Sequence, residues 1–243
     1  MKSMVTAVKS WLSSYSEIAT EYYDERRHPT CANFRAASAF ILRTWLRSFL
    51  KRNSVIVETG AGASVALELI QDLRVPAALI VSDRSPAMLN QRHEFISGTC
   101  LVSDAEQLAV RSASVDAILA SLGDPYNTST FWRECSRVLR PGGRVFFTTP
   151  SFEWARSFRN ESGAPPMAAE FELADGRALF VPSLVLSPTE QVALIRSAGL
   201  NVGQERHVDC EVIPRTRRSP KLRTGAIVSG YLAELSLASN AAS

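Results

Sequence analysis

The sequence is poor in the residues that build metal sites and disulfide frameworks. Its four cysteines (Cys31, Cys100, Cys135, Cys210) are widely separated and form no C-x-x-C pair, and its three histidines (His28, His93, His207) fall at no ligand spacing. No metal site is expected from them. Cys100 and Cys135 lie in apolar stretches and read as buried free thiols, which suits a reducing, cytoplasmic setting. No apolar run approaches the roughly 20 residues that cross a bilayer. The opening stretch, MKSMVTAVKSWLSSYSEIATEYYDERR, has neither the unbroken apolar core nor the small-residue cleavage site of a signal peptide. A large charge excess is missing too. With 27 Lys+Arg against 24 Asp+Glu the net charge is +3, and basic residues do not alternate with aromatics as in single-strand nucleic-acid binders. No internal repeat or low-complexity tract is visible. The 243 residues, 46% hydrophobic and 21% charged, suit one soluble globular domain with at most a small appendage.

What the chain does have is concentrated between Ser54 and Asp83. Val55, Ile56 and Val57 form a short β-branched run suited to a strand covered on both faces. Glu58-Thr59-Gly60-Ala61-Gly62 supplies small residues where the chain must turn sharply and let a ligand approach the backbone. From Ala63 the apolar spacing becomes helical, through Val65, Leu67, Leu69, Ile70 and Leu73. Ala77 to Val81 is a second strand, and Asp83 stands at its end, where a carboxylate can accept both hydroxyls of a ribose. The segment reads as a nucleoside-binding βαβ unit. A dinucleotide turn, G-x-G-x-x-G, would need a third glycine where Val65 stands, and Glu58 would set a negative charge before any phosphate. A ligand with a cationic centre and no phosphate fits better.

Further elements follow in order. Cys100 to Leu108 carries Asp104-Ala105 after a third strand, Ser114 to Leu122 reads as a fourth, and Phe131 to Arg140 leads into Pro141-Gly142-Gly143 and a strand from Arg144 to Thr148. With the acid-x-Gly-x-Gly turn and Asp83, this order resembles the class I methyltransferases that use S-adenosylmethionine (SAM). The resemblance implies an α/β fold: a Rossmann-like, doubly wound, mostly parallel sheet with an antiparallel last strand, plus N-terminal helices and a small hairpin insertion. It implies SAM as cofactor and S-adenosylhomocysteine as product. The cofactor residues it assigns are Glu58, Gly60, Ala61 and Gly62 at the turn, Asp83 at the ribose, Asp104 and Ala105 at the adenine, and, with no part of the cofactor specified, Arg84 and Ser121. Met88 suits the adenine face and ordinary core packing equally. Ser64 replaces the glycine common in that family and reads as a cap for the helix it opens.

Outside this unit, residues 1 to about 22 show helical spacing, a second helix is expected from about Asn33 to Lys51, and residues 1–52 are expected to form a helical lid on a SAM-binding domain of residues 53–243. Within the latter, 151–185 is expected to be a substrate-side insertion. It comprises a loop or short helix over Phe152–Met167 and a hairpin turning at Asp175-Gly176. Ser187-Pro188-Thr189-Glu190 opens a helix, and closing strands are expected at about Val202–Val212 and Ala226–Leu235. Asp124 and Tyr126, in Ser121-Leu122-Gly123-Asp124-Pro125-Tyr126-Asn127, are candidates for base or orienting group, because the segment resembles the Asn/Asp-Pro-Pro-Tyr loop of amino-methylating enzymes with one proline missing. Asp124 could equally cap the next helix. Tyr22, Tyr23, Arg26 and Asn33 are candidates for the acceptor, with His28 as a third catalytic candidate. Phe152, Trp154, Phe158, Phe171 and Phe180 suit either a partly apolar acceptor or a core. The expected activity is methyl transfer to N or O of a small-molecule acceptor. Two alternatives stay open: an RNA or DNA methyltransferase using the basic run Arg215–Arg223, and a non-catalytic SAM-binding sensor or scaffold.

Overall fold

A computed structural model describes residues 14–91, 99–222 and 225–236. Seven strands form one sheet in the order β3-β2-β1-β4-β5-β9-β8. They are β1 (Val55–Thr59), β2 (Ala78–Asp83), β3 (Thr99–Val102), β4 (Val115–Ala120), β5 (Leu139–Pro150), β8 (Leu200–Asp209) and β9 (Ala226–Leu235). The pairs from β3 through β5 are parallel, and β9 runs antiparallel between β5 and β8. The strand order reverses between β1 and β4, so the carboxyl ends of β1, β2 and β4 open on a common crevice, the usual ligand position in such sheets.

Each face of the sheet is covered by helices whose apolar stripes the sequence supplies. On one face, α2 (Pro29–Phe49) and α3 (Val65–Leu73) bury Ile41, Leu42, Trp45, Leu46 and Leu69 against Ile56, Leu119 and Phe146. On the other, α5 (Ser129–Val138) and α7 (Pro188–Ser197) bury Phe131, Trp132 and Ile195 against Val57, Ile118, Val145 and Tyr231. The expected capping box of α7 is present: the Ser187 hydroxyl accepts from the Glu190 amide, and the Glu190 carboxylate accepts from the Ser187 amide.

Several details differ from the sequence reading. The first described helix, α1 (Tyr15–Ile18), is a single turn, and turns follow it through Tyr23; residues 1–13 lie outside the described residues. Of the two forms expected for Phe152–Met167, the chain takes the helix, α6 (Phe152–Ser162), capped by Ser151. The Pro141-Gly142-Gly143 turn is absorbed into β5, because Val115 pairs with Leu139 and Ala117 with Arg144. Residues 140–143 therefore bulge opposite Asp116, whose carboxylate holds the Arg140 guanidinium and the Val55 amide.

A separate two-stranded sheet, β6 (Ala168–Glu172) and β7 (Ala178–Pro182), is the expected hairpin. Its Phe171, Leu173 and Val181 share a small core with Ile18, against which Tyr15 and Tyr22 pack. This contact fixes the N-terminal segment beside the insertion at the open end of the crevice.

Candidate active site

The β1–α3 turn forms the floor of the crevice. Gly60 and Gly62 both have positive φ (59° and 49°). A Cβ on Gly60 would stand 2.5 Å from the Tyr126 ring, and one on Gly62 2.1 Å from the Tyr23 hydroxyl, so conformation and space both require glycine. Glu58 corrects the sequence reading. Its carboxylate does not face the crevice. It turns beneath the loop, is 1% exposed, and accepts from the Val65 and Ala66 amides and the Ser64 hydroxyl. Ser64 caps α3 as expected, accepting from Leu67. Two side chains thus satisfy the open amides of one helix terminus. Burial pushes the Glu58 carboxyl up to about 7 against the pull of those donors.

Asp83 ends β2 and lines the crevice. One carboxylate oxygen accepts from the Gly62 amide at 2.9 Å, the other from Ser85 at 2.8 Å. These bonds tie the two loops together and aim the carboxyl. Burial raises its pKa, with the Ser85 and Gly62 amides opposing. Asp104 follows β3, accepts from the Glu106 amide, and lies 3.7 Å from the exposed Arg84 guanidinium. Met88, on the single-turn helix α4 (Pro86–Leu89), and Ala105 and Ser121 also line the crevice. The Ser121 hydroxyl joins a chain with Ser38 and Thr148 that holds the end of β4 against β5.

The N-terminal segment closes over this floor. The Tyr23 hydroxyl accepts from the Ala63 amide, Ser16 meets Ser85, and Glu21 accepts from Ala174 of the hairpin turn. Arg35, on α2, bonds the Tyr22 carbonyl and stacks over the rings of Tyr22 and Tyr23. A cavity of about 1750 Å³ remains. A single small ligand fills roughly 300–1,000 Å³, so there is room for a cofactor and an acceptor together.

In the acceptor half, Asp124 is 5% exposed. It caps no helix, because Thr128 takes that role for α5. Burial raises its carboxyl to about 6, and the neighbouring Ser183 and Arg159 lower it. Tyr126 donates its proton to the Thr59 carbonyl at 2.7 Å, and burial raises its pKa. It therefore walls the glycine turn and is a poor base. The His28 ring stacks on Phe171 at 4.1 Å, with a buried Nε2 that has no hydrogen-bond partner and stands 3.7 Å from Glu21. Burial lowers its pKa.

The structure separates two acceptor candidates from the cavity. Arg26 is exposed on the outside of the segment. Asn33 is buried with its amide committed to the Arg217 carbonyl and the Ser219 amide, which ties the 215–219 loop to α2. Tyr22, Tyr23, His28, Trp154, Phe158 and Phe171 surround the cavity, whereas Phe152 and Phe180 do not line it. Sequence reasoning gave no role to Arg159 or Ser183, which have no motif and reach the site only because α6 and the hairpin fold over it.

Comparison with known proteins bears on this arrangement. A family model described as a methyltransferase domain matches residues 57–147. A malonyl-(acyl-carrier protein) O-methyltransferase of Hahella chejuensis is 29% identical over 99 residues, covering 39% of this chain and 36% of that protein. A ubiquinone/menaquinone biosynthesis C-methyltransferase of Rubrivivax gelatinosus is 34% identical over 134 residues, covering 49% of this chain and 51% of that one. The chain thus spans about half or less of these curated relatives. Among solved structures, the methyltransferase in a complex with the Haloferax volcanii Trm112 activator shares the fold, with TM-score 0.63 and 16% identity over 90% of this chain and 97% of that one.

Proposed function

We propose that the chain is a class I SAM-dependent methyltransferase, which transfers a methyl group from SAM to a nucleophilic atom of a small-molecule acceptor; the methyltransferase-domain match over residues 57–147 supports this reading. The observation that carries this reading is the cavity of about 1750 Å³. At one end it has a glycine turn and the aimed Asp83 carboxylate, and at the other an aromatic compartment closed by the N-terminal segment and the 151–185 insertion. SAM, when bound, supplies a methyl group on a cationic sulfur.

The residues present fit such a ligand. Asp83 would accept two ribose hydroxyls, Asp104 and Ala105 would hold the adenine, and Met88 would lie against its face, all four lining the cavity. The glycine turn leaves space for the methionine part, and Arg35 offers a guanidinium to its carboxylate. Residues 14–28 and 151–185 exclude water and choose the acceptor. A small molecule is favoured over a nucleic acid because the cavity rim mixes Glu25, Glu170 and Glu172 with Arg27 and Lys221. A phosphate backbone would need one sign.

Calorimetric titration with S-adenosylhomocysteine tests the reading. Binding is expected for the wild type, with a loss on the order of 100-fold for Asp83→Ala, since two hydrogen bonds to a charged group contribute roughly 1.5–3 kcal/mol each at most. Absence of binding, or undiminished affinity in the variant, would remove the proposal.

A further inference from the structure

The acceptor compartment contains a buried acid that the protein leaves without a counter-ion. Asp124 has no ion-pair partner among the described residues. Arg159, the cation in its neighbourhood, directs its donors to the carbonyls of Ala168 and Ser183 and to the Ser183 hydroxyl. The other groups whose fields reach Asp124 are Tyr15, Tyr22, Cys31 and Tyr126, all half-buried and all held in the neutral form by loss of solvent. Aromatic faces complete the compartment. Tyr22 stacks on Phe171 at 6.2 Å, and Trp154 on Phe158 at 5.0 Å with planes 10° apart.

We propose that the acceptor is an amine: a basic nitrogen carried on a ring-bearing apolar frame, held through its N–H by Asp124. This rests on the methyl-transfer reading above and names its substrate class. Asp124 has the Ser183 hydroxyl as a neutral donor but no counter-ion, which leaves a buried carboxylate costly, and an amine or ammonium guest offsets that cost with a charge-assisted hydrogen bond. The aromatic faces bury the frame and attract a cationic nitrogen. Charge movement during transfer points the same way. The nitrogen lone pair forms the new N–C bond as the C–S bond of the donor breaks onto sulfur, so the positive charge passes from sulfur to nitrogen. Asp124 stabilises that charge and accepts the nitrogen's proton. A carboxylate acceptor, by contrast, would meet Asp124 as a like charge.

Three probes on one indole frame separate these cases: tryptamine, tryptophol and indole-3-acetate, titrated calorimetrically into protein saturated with S-adenosylhomocysteine. Tryptamine is expected to bind at least about tenfold tighter than tryptophol, with indole-3-acetate weakest. Asp124→Asn is expected to erase the difference between the first two. Phe158→Leu is expected to weaken tryptamine several-fold while S-adenosylhomocysteine binding stays unchanged. Equal or tighter binding of tryptophol or indole-3-acetate by the wild type overturns the proposal. So does binding of none of the three by protein that holds S-adenosylhomocysteine, or an amine preference that survives in Asp124→Asn. If Asp124→Asn does not fold, the wild-type ranking and Phe158→Leu decide. Failure to bind S-adenosylhomocysteine at all would instead remove the methyltransferase reading.

Discussion

Replacing Glu58 by glutamine should change how stability depends on pH. The carboxyl is fully enclosed beneath the glycine turn, and folding raises its pKa from 4.5 to about 7, burial outweighing the three donors that face it. Between those values the folded protein keeps the proton while the unfolded chain has released it. Stability therefore falls as pH rises through this window and levels off above about 7, where both states are ionised. At roughly 1.4 kcal/mol per pH unit, ionised Glu58 costs the folded state roughly 3 kcal/mol relative to its protonated form. A glutamine keeps an amide oxygen for the Val65 and Ala66 donors and carries no charge. Urea unfolding followed by tryptophan fluorescence at pH 5 and pH 8.5 gives the comparison. The Glu58→Gln protein should gain roughly 2–3 kcal/mol on the wild type between these conditions. Taking the difference removes the contributions of Asp83 and Asp124, whose raised pKa values have the same sign and are present in both proteins. A difference that does not vary with pH would refute the reasoning. A wild type that gains on the variant as pH rises would mean that the three donors outweigh burial.

Other perturbations read other parts of the site. Gly62→Ala places a methyl group 2.1 Å from the Tyr23 hydroxyl at a positive φ. A loss of at least about 1–2 kcal/mol from the backbone alone should appear as a lower Tm, and an unchanged Tm would contradict the geometry. If Asp124 takes the acceptor's proton, kcat/KM for an amine acceptor should fall as pH drops below about 6. This acidic limb should be absent from any residual activity of Asp124→Asn. For the basic loop, fluorescence anisotropy with a single-stranded RNA should show little affinity at moderate salt. A log–log salt slope steeper than about two phosphate contacts would imply would favour the nucleic-acid alternative.

The chain's local chemistry carried much of the fold. The switch from the β-branched run at Val55–Val57 to helical spacing after Ala63 was legible because strand and helix have different apolar periods. The capping residues Ser64 and Ser187 were legible because helix termini leave amides open. The hairpin at Asp175-Gly176 and the antiparallel last strand also lie where expected. Less visible was the direction in which polar side chains turn. Glu58 sits next to the glycine loop in sequence, yet it points inward because the first amides of α3 lie beneath it. Asn33 stands among aromatic and charged residues near the cavity, yet it binds a loop more than 180 residues away in sequence.

The sequence by itself determined the βαβ unit, the glycine turn and the acid at the end of β2, which together resemble the SAM-binding methyltransferases. Those features are local, set by backbone conformation and residue spacing within one short segment. Only the tertiary structure decided what the acceptor compartment is made of. Its walls come from α1, α2, α6, the hairpin and the loop after β4, and no spacing rule links segments so far apart. That assembly also decided that Asp124 lines the cavity with no ion-pair partner among the described residues. An ion pair or its absence depends on which side chains meet in space, and packing alone brings Arg159 close while binding its guanidinium elsewhere.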